Sequence, residues 1–298
     1  MTKPAITLLD GGMGQELVKR SGDAPTALWS TRVMMDRPGL VADIHRAYFE
    51  AGAVIATANT YAILRDRLVR EGLEDAFESL HAKALEEART ARDGFGQGRI
   101  AGAIGPLGAT YRPDVHPPVS QAVPLYREIA DLQAPHVDLF LLESVASLDH
   151  ARAALAATRD HGKPVWLSVT VDDADGARLR SGEAVADLLP LLDGAAALLA
   201  NCSTPEAMPA ALEVFARQEL PFGAYANGFT AISDGFLVDA PTVDALSARA
   251  DMGPDAYADH VMAWLDMGAT LVGGCCETGP EHIRAIADRL KCAGYDIA

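Results

Sequence analysis

Eight short, nearly continuous apolar runs, each separated from the next by a longer segment of helical periodicity, constrain this chain more than any other feature. The runs are Ala5–Asp10, Ala53–Thr57, Ile100–Gly105, Val137–Glu143, Pro164–Thr170, Ala197–Asn201, Pro221–Ala226 and Ala269–Gly274. A strand with one wet face alternates apolar and polar residues. These runs do not, which is the mark of parallel strands covered on both faces. Helix signals lie between them. Leu40, Val41, Ile44, Ala47 and Tyr48 recur at helical spacing, and Gly52 closes that segment. Ser203-Thr204-Pro205-Glu206 predicts an N-cap followed by proline in the first turn, and Gly279-Pro280-Glu281 opens the last helix in the same manner. Eight strand-plus-helix units account for nearly all of the 298 residues, and eight is the number that closes a single (β/α)8 TIM barrel.

An open doubly wound sheet competes through the loop Gly11-Gly12-Met13-Gly14. A dinucleotide fingerprint would need glycine where Leu17 stands, and an acidic residue at the end of the second run; neither is present. No linker rich in Pro, Gly or Ser divides the chain, so it reads as one domain. The longest irregular stretches, Pro106–Pro124 and Asn227–Asp239, follow runs three and seven, on the face where barrel enzymes build their sites.

Charge and cysteine usage limit the partners. A net charge of -16 without a Lys/Arg cluster repels phosphate backbones, so no nucleic acid partner is expected, and the charge reads as a soluble, self-repelling surface. No run reaches the ~18 apolar residues of a membrane span, and no apolar signal segment precedes the first strand. A cytoplasmic location is therefore expected. Four cysteines, Cys202, Cys275, Cys276 and Cys292, are too few for a disulfide framework and in that compartment stay reduced and open to metal.

Asn201-Cys202 ends run six, and Gly273-Gly274-Cys275-Cys276 ends run eight. In a barrel both ends open on one face. Neighbouring residues of a straight strand point to opposite sides, so Cys275 and Cys276 can share a metal only where the strand has ended; the two glycines before them supply that turn. Three thiolates on Zn2+ leave one tetrahedral position open, the pattern of a catalytic site. Histidine ligands would leave zinc electrophilic and suited to making hydroxide. Three thiolates make it a poorer Lewis acid that can hold a fourth, electron-rich thiolate, whereas a free thiol of pKa about 8.5 stays mostly protonated. The pattern thus points to activation of a substrate thiol. On spacing alone, ordinary packing of small apolar cysteines stands level with the metal site, and Cys292, in the final helix, is assigned to packing. A zinc hydrolase would need His and carboxylate ligands at strand ends, which are missing. A non-catalytic zinc- or thiol-sensing barrel would use the same cysteines without an aromatic-lined pocket.

Taken together, Leu9-Asp10-Gly11-Gly12-Met13-Gly14, Ala58-Asn59-Thr60-Tyr61, Gly105-Pro106, Glu143, Asn201-Cys202, Tyr225-Ala226-Asn227-Gly228 and Gly273-Gly274-Cys275-Cys276 resemble the homocysteine S-methyltransferase family along essentially the whole chain. That family includes betaine–homocysteine methyltransferase and the homocysteine domain of cobalamin-dependent methionine synthase. The resemblance implies that residues 1–298 form one homocysteine-binding barrel, with Cys202, Cys275 and Cys276 as zinc ligands and the homocysteine sulfur as the fourth. It implies that Asp10, Gly11, Gly12, Asn59, Glu143 and Asn201 bind the amino acid. This agrees with residue chemistry, since a carboxylate such as Glu143 pairs with an ammonium and glycine-rich amides suit a carboxylate. No catalytic side chain is expected, because the metal removes the thiol proton.

A methyl group leaves readily only from a positively charged atom or an activated cofactor. The expected donor is a small onium compound: betaine, S-methylmethionine, dimethylsulfoniopropionate or S-adenosylmethionine. Aromatic faces attract such cations. By the resemblance Trp29 and Tyr61 lie at the donor, with Tyr111 a further aromatic within reach. Ser144 stands where betaine users have tyrosine, a departure that counts against betaine and leaves a sulfonium open. Folate donation through cobalamin is not expected, since eight units fill the chain.

Overall fold

A computed structural model describes residues 3–22, 28, 30–230 and 248–298. Trp29 and the part of the Asn227–Asp239 stretch beyond residue 230 lie outside the described residues. Eight strands form: β1 (Thr7–Leu8), β2 (Ile55–Thr57), β3 (Arg99–Ile104), β4 (Leu139–Val145), β5 (Val165–Val169), β6 (Ala197–Asn201), β7 (Phe222–Ala226) and β8 (Leu271–Gly274). Each overlaps its predicted run, though β3 starts one residue early and β4 continues two residues past Glu143. All neighbours are parallel, in the order β1-β8-β7-β6-β5-β4-β3-β2. The ring closes between β1 and β2, where the Val54 N–H donates to the Leu8 carbonyl at 2.8 Å. The fold is a (β/α)8 barrel.

Burial on two sides explains the unbroken apolar runs. Leu139 and Leu141 of β4 point inward, with Leu9, Ile55, Ala101, Trp166, Leu199 and Leu271, to fill the barrel. Phe140 and Leu142 of the same strand point outward into the layer between sheet and helices. All seven residues of β4 are buried.

Helices α1 (Met13–Ser21), α2 (Ser30–Asp36) and α3 (Leu40–Ala51) follow β1. α4 (Arg65–Arg70) and α5 (Phe77–Phe95) follow β2, α6 (Val119–Gln133) follows β3, and α7 (Leu148–Thr158) follows β4. α8 (Met208–Phe215), α9 (Pro254–Asp266) and α10 (Pro280–Cys292) complete the set among the described residues. α3 ends at Gly52 in the left-handed region, φ 118, and α10 opens with Pro280 after Gly279, both as the sequence predicts.

Four expectations need correction. After β5 no α-helix forms; a 3-10 helix, Val185–Leu191, stands there, with Pro190 inside it unable to donate a helical N–H. α8 begins at Met208 rather than at Pro205, because the Ser203 hydroxyl is engaged with the N–H and carbonyl of Val171, just past the neighbouring β5, instead of capping a helix. Pro124 lies inside α6 rather than closing the irregular stretch before it. Cys292 is exposed, not packed in the core. Among the described residues no helix is long and apolar enough to cross a membrane.

Candidate metal and substrate site

The C-terminal strand ends open on a cavity of about 110 Å³. Cys202 directly follows β6, and Cys275 and Cys276 directly follow β8; the three sulfurs lie within 4.8 Å of one another. Cys202 and Cys275 sulfurs are 2.7 Å apart, and those of Cys275 and Cys276 4.0 Å. The adjacent pair rides a turn in which the Thr278 N–H and hydroxyl donate to the Cys275 carbonyl, at 3.3 and 2.7 Å. Strand geometry has ended there, as adjacency requires. Tetrahedral zinc with bonds of about 2.3 Å separates its thiolates by about 3.8 Å. The second pair already meets that spacing, and the first opens by about 1 Å to reach it. Three soft thiols with no fourth protein ligand among the described residues fit zinc in an open site. Contact with the Cys275 and Cys276 thiols, then with the Tyr111 and Ser144 hydroxyls, holds Cys202 well below the usual thiol range.

This turn tolerates only glycine opposite it. A Cβ on Gly11 would overlap the Thr278 carbonyl, which already accepts from the Gly12 N–H at 2.9 Å and the Tyr48 hydroxyl at 3.0 Å. Gly11→Ala should therefore displace the Cys275–Thr278 turn and lower metal affinity by at least about tenfold, the scale on which shells around metal ligands act. Competition against a chromogenic chelator measures it, and unchanged affinity would refute the coupling.

Strain collects at this face. The non-glycine residues with positive φ among those described are Tyr111 (64), Ser144 (55), Cys202 (51) and Glu277 (61). The first three line the cavity and the fourth follows a cysteine ligand candidate. Such conformations cost about 1–3 kcal/mol each and concentrate where function holds them.

Two buried carboxylates line the cavity with the thiols. Glu143, at the C-terminal half of β4, accepts from the Tyr225 hydroxyl at 3.0 Å. Burial, then the Cys202 and Asp10 charges, push its pKa up to about 8 against that hydrogen bond. Asp10 accepts from the Thr57 N–H at 2.7 Å and the Thr57 hydroxyl at 2.6 Å, and burial still raises it to about 6. No Lys or Arg lines this cavity among the described residues. Two carboxylates desolvated without a cation are prepared for a cation to arrive.

Other predicted residues divide. Gly11 and Gly12 line the cavity, but the Gly12 amide is committed to Thr278. The amides next to it open α1, whose N-cap Gly12 brings no side chain to satisfy them; Met13, Gly14 and Gln15 line the cavity there. Asn59 lines the cavity and donates to the Ser30 carbonyl at 3.4 Å. Asn201 does not line it. Its amide oxygen accepts from the Ser144 N–H (3.1 Å) and the Ser168 hydroxyl (2.9 Å), and its nitrogen donates to the Ser144 hydroxyl, so it holds the strained Ser144 in place from below. Tyr61 lines the cavity with its hydroxyl 3.0 Å from Thr110 Oγ1, and Tyr111 lies beside it. In sequence Tyr225 stands out only within a motif, and Ser144 only as the place of a missing aromatic; the pairing of Tyr225 with Glu143 and of Ser144 with Asn201 only the fold reveals.

Residues 7–290 match the family model described as homocysteine S-methyltransferase. A homocysteine S-methyltransferase of Escherichia coli is 29% identical over 97% of this chain and 96% of its own length. Homocysteine S-methyltransferase 4 of Zea mays is 28% identical over 97% and 90%. The crystal structure of the Escherichia coli homocysteine methyltransferase MmuM in its metallated form superposes with a TM-score of 0.81 at 28% identity, covering 96% of this chain and 97% of that one.

Proposed function

The chain belongs to the homocysteine S-methyltransferase family, and from that premise we propose that it methylates the thiol of homocysteine to give methionine, with zinc as its metal and a small sulfonium compound as donor. The observation that carries this reading is the convergence of three thiols beside two buried, cation-free carboxylates. Cys202, Cys275 and Cys276 would hold the zinc. When bound, zinc supplies the displacement of the thiol proton at neutral pH and keeps the acceptor sulfur nucleophilic.

The remaining work falls to the chain itself. Glu143 and Asp10 receive the ammonium of homocysteine, and its carboxylate faces Gly11 and the first-turn amides of α1, where the helix dipole favours an anion. Asn59 lies along the same wall, while Asn201 acts through Ser144. Tyr61 and Tyr111 wall the donor half, with Trp29 assigned there by its sequence position. The reaction forms a sulfur–methyl bond as the onium–methyl bond breaks in line, and a thiolate and a cation both become neutral. Charge-neutralising chemistry is favoured in a desolvated cavity, and alignment of the two substrates supplies much of the rate. No side chain need move a proton in the transfer. We place the protein in the cytoplasm, where thiols stay reduced and available to metal.

A donor panel tests this. Zinc-loaded, reduced protein with homocysteine should form methionine from S-methylmethionine, and little from betaine, for which Ser144 leaves an aromatic wall incomplete. Mass spectrometry of the product decides. Bound zinc with no methionine from any of betaine, S-methylmethionine, dimethylsulfoniopropionate or S-adenosylmethionine would end the proposal.

A further inference from the structure

We propose that Arg180 is a positioning residue for methyl transfer, holding the Tyr111 ring as the fixed wall of the donor half of the cavity. This rests on the methyl-transfer reading above. Tyr111 adopts φ 64 while only 6% exposed. A bulky residue keeps a left-handed conformation only where its surroundings over-determine it. Besides the hydroxyl's contact with Cys202, two groups hold Tyr111. The Arg180 guanidinium carbon lies 5.2 Å from the ring centre, and at the other end the Tyr111 hydroxyl is 3.5 Å from Asn227 Nδ2.

Arg180 is itself fixed. Its side chain, 11% exposed, pairs with Asp173 at 3.0 Å. Its Nε donates to the Thr170 hydroxyl at 3.3 Å and a terminal nitrogen to the Ser203 hydroxyl at 3.5 Å. Both hydroxyls touch or adjoin Cys202: Thr170, just past β5, donates to the Cys202 carbonyl at 3.2 Å, and Ser203 is the residue after Cys202. One guanidinium therefore ties the loop that presents a thiol to the ring that walls the cavity. Asp173 offsets the guanidinium charge, so the cavity face of Tyr111 keeps its attraction for an onium. A planar guanidinium stacks and ion-pairs at once, which an ammonium does poorly.

Steady-state kinetics on the zinc-loaded full chain, with homocysteine and S-methylmethionine, test the role. Arg180→Met should raise the KM for S-methylmethionine about tenfold, the scale of a lost desolvated cation–π contact, while zinc content and homocysteine KM stay within about twofold. Arg180→Lys should recover part of the loss. Tyr111→Leu should show the same donor defect, and the double variant no more than Tyr111→Leu alone, because the two act as one unit. Unchanged donor KM in Arg180→Met, zinc and homocysteine affinity falling together with it, or single effects that multiply in the double variant would each overturn the proposal. If the unaltered protein makes no methionine from any donor, the methyl-transfer reading fails separately. Midpoint temperatures of the same four proteins then decide the coupling without turnover, non-additive shifts supporting it and additive shifts refuting it.

Discussion

Cys202→Ala or Cys275→Ala is expected to lose bound metal and methyl transfer together, with kcat/KM falling at least about a thousandfold, as when a transition-state contact of several kcal/mol is removed. Three sulfurs within 4.8 Å form a closed set of ligands. Two leave a divalent ion with half of a tetrahedral shell and nothing among the cavity-lining side chains to replace the third except carboxylates already turned to other partners. The loss should not reflect unfolding, because each cysteine lies just past its strand, Cys275 only bordering the barrel-filling cluster, and alanine keeps the Cβ. Elemental analysis by mass spectrometry, circular dichroism and methionine formation, measured on one preparation, separate the effects. Cys292→Ala, exposed at the end of α10, should match the unaltered protein in all three. A Cys202→Ala protein that methylates homocysteine at full rate after chelation would remove the metal from the mechanism.

Glu143→Gln should raise the homocysteine KM about a hundredfold, a loss of roughly 3 kcal/mol for an uncompensated charged contact, and at the same time make the ligand-free protein more stable. Burial, with the Cys202 and Asp10 charges, lifts the Glu143 pKa from 4.5 to about 8. A raised carboxylate pKa means that the folded chain disfavours the ionised form. The penalty is absent below pH 4.5, where the group is protonated in both states. It grows as pH rises from 4.5 to about 8, and is complete above. At 1.4 kcal/mol per unit this amounts to a few kcal/mol. Glutamine can still accept from the Tyr225 hydroxyl and carries no such penalty. Melting curves of the metal-free proteins should thus coincide near pH 4.5 and separate by several degrees by pH 8, the variant higher. A variant that melts lower at pH 8, or keeps its homocysteine KM, would show that Glu143 does not serve as the ammonium site.

The strands were legible because a closed parallel barrel buries both faces. Leu139 to Leu142 therefore run apolar without a break. The convergence of the cysteines was legible because two barrel strands end on one face, although spacing alone left metal and packing level and the family resemblance decided between them. What stayed hidden depends on which distant partner claims a polar group. Nothing local shows that the Gly12 amide is taken by Thr278, or that Asn201 faces Ser144 and Ser168 rather than the cavity. The Ser203 hydroxyl looks like a helix cap in sequence and is claimed by Val171 instead. Cys292 is different, since its exposure follows from local periodicity. Ile283, Ile286, Ala287 and Leu290 set the buried stripe of α10, and position 292 falls on the far side.

The closure of the barrel at β1 has a consequence for how this protein can change over generations. β1 is two residues long, and one backbone hydrogen bond from Val54, with the two Thr57 contacts to Asp10, fastens it to β2. Asp10 also lines the cavity. On the proposed reading, one carboxylate thus answers to two selective pressures, keeping the stave in the barrel and greeting an amino group. Drift toward a substrate without that amino group would loosen the architecture before any new binding could repay it. Under the proposed assignment, the amino-acid end of the acceptor is anchored by the fold itself, and the donor end, walled by loops, is where divergence is free to proceed.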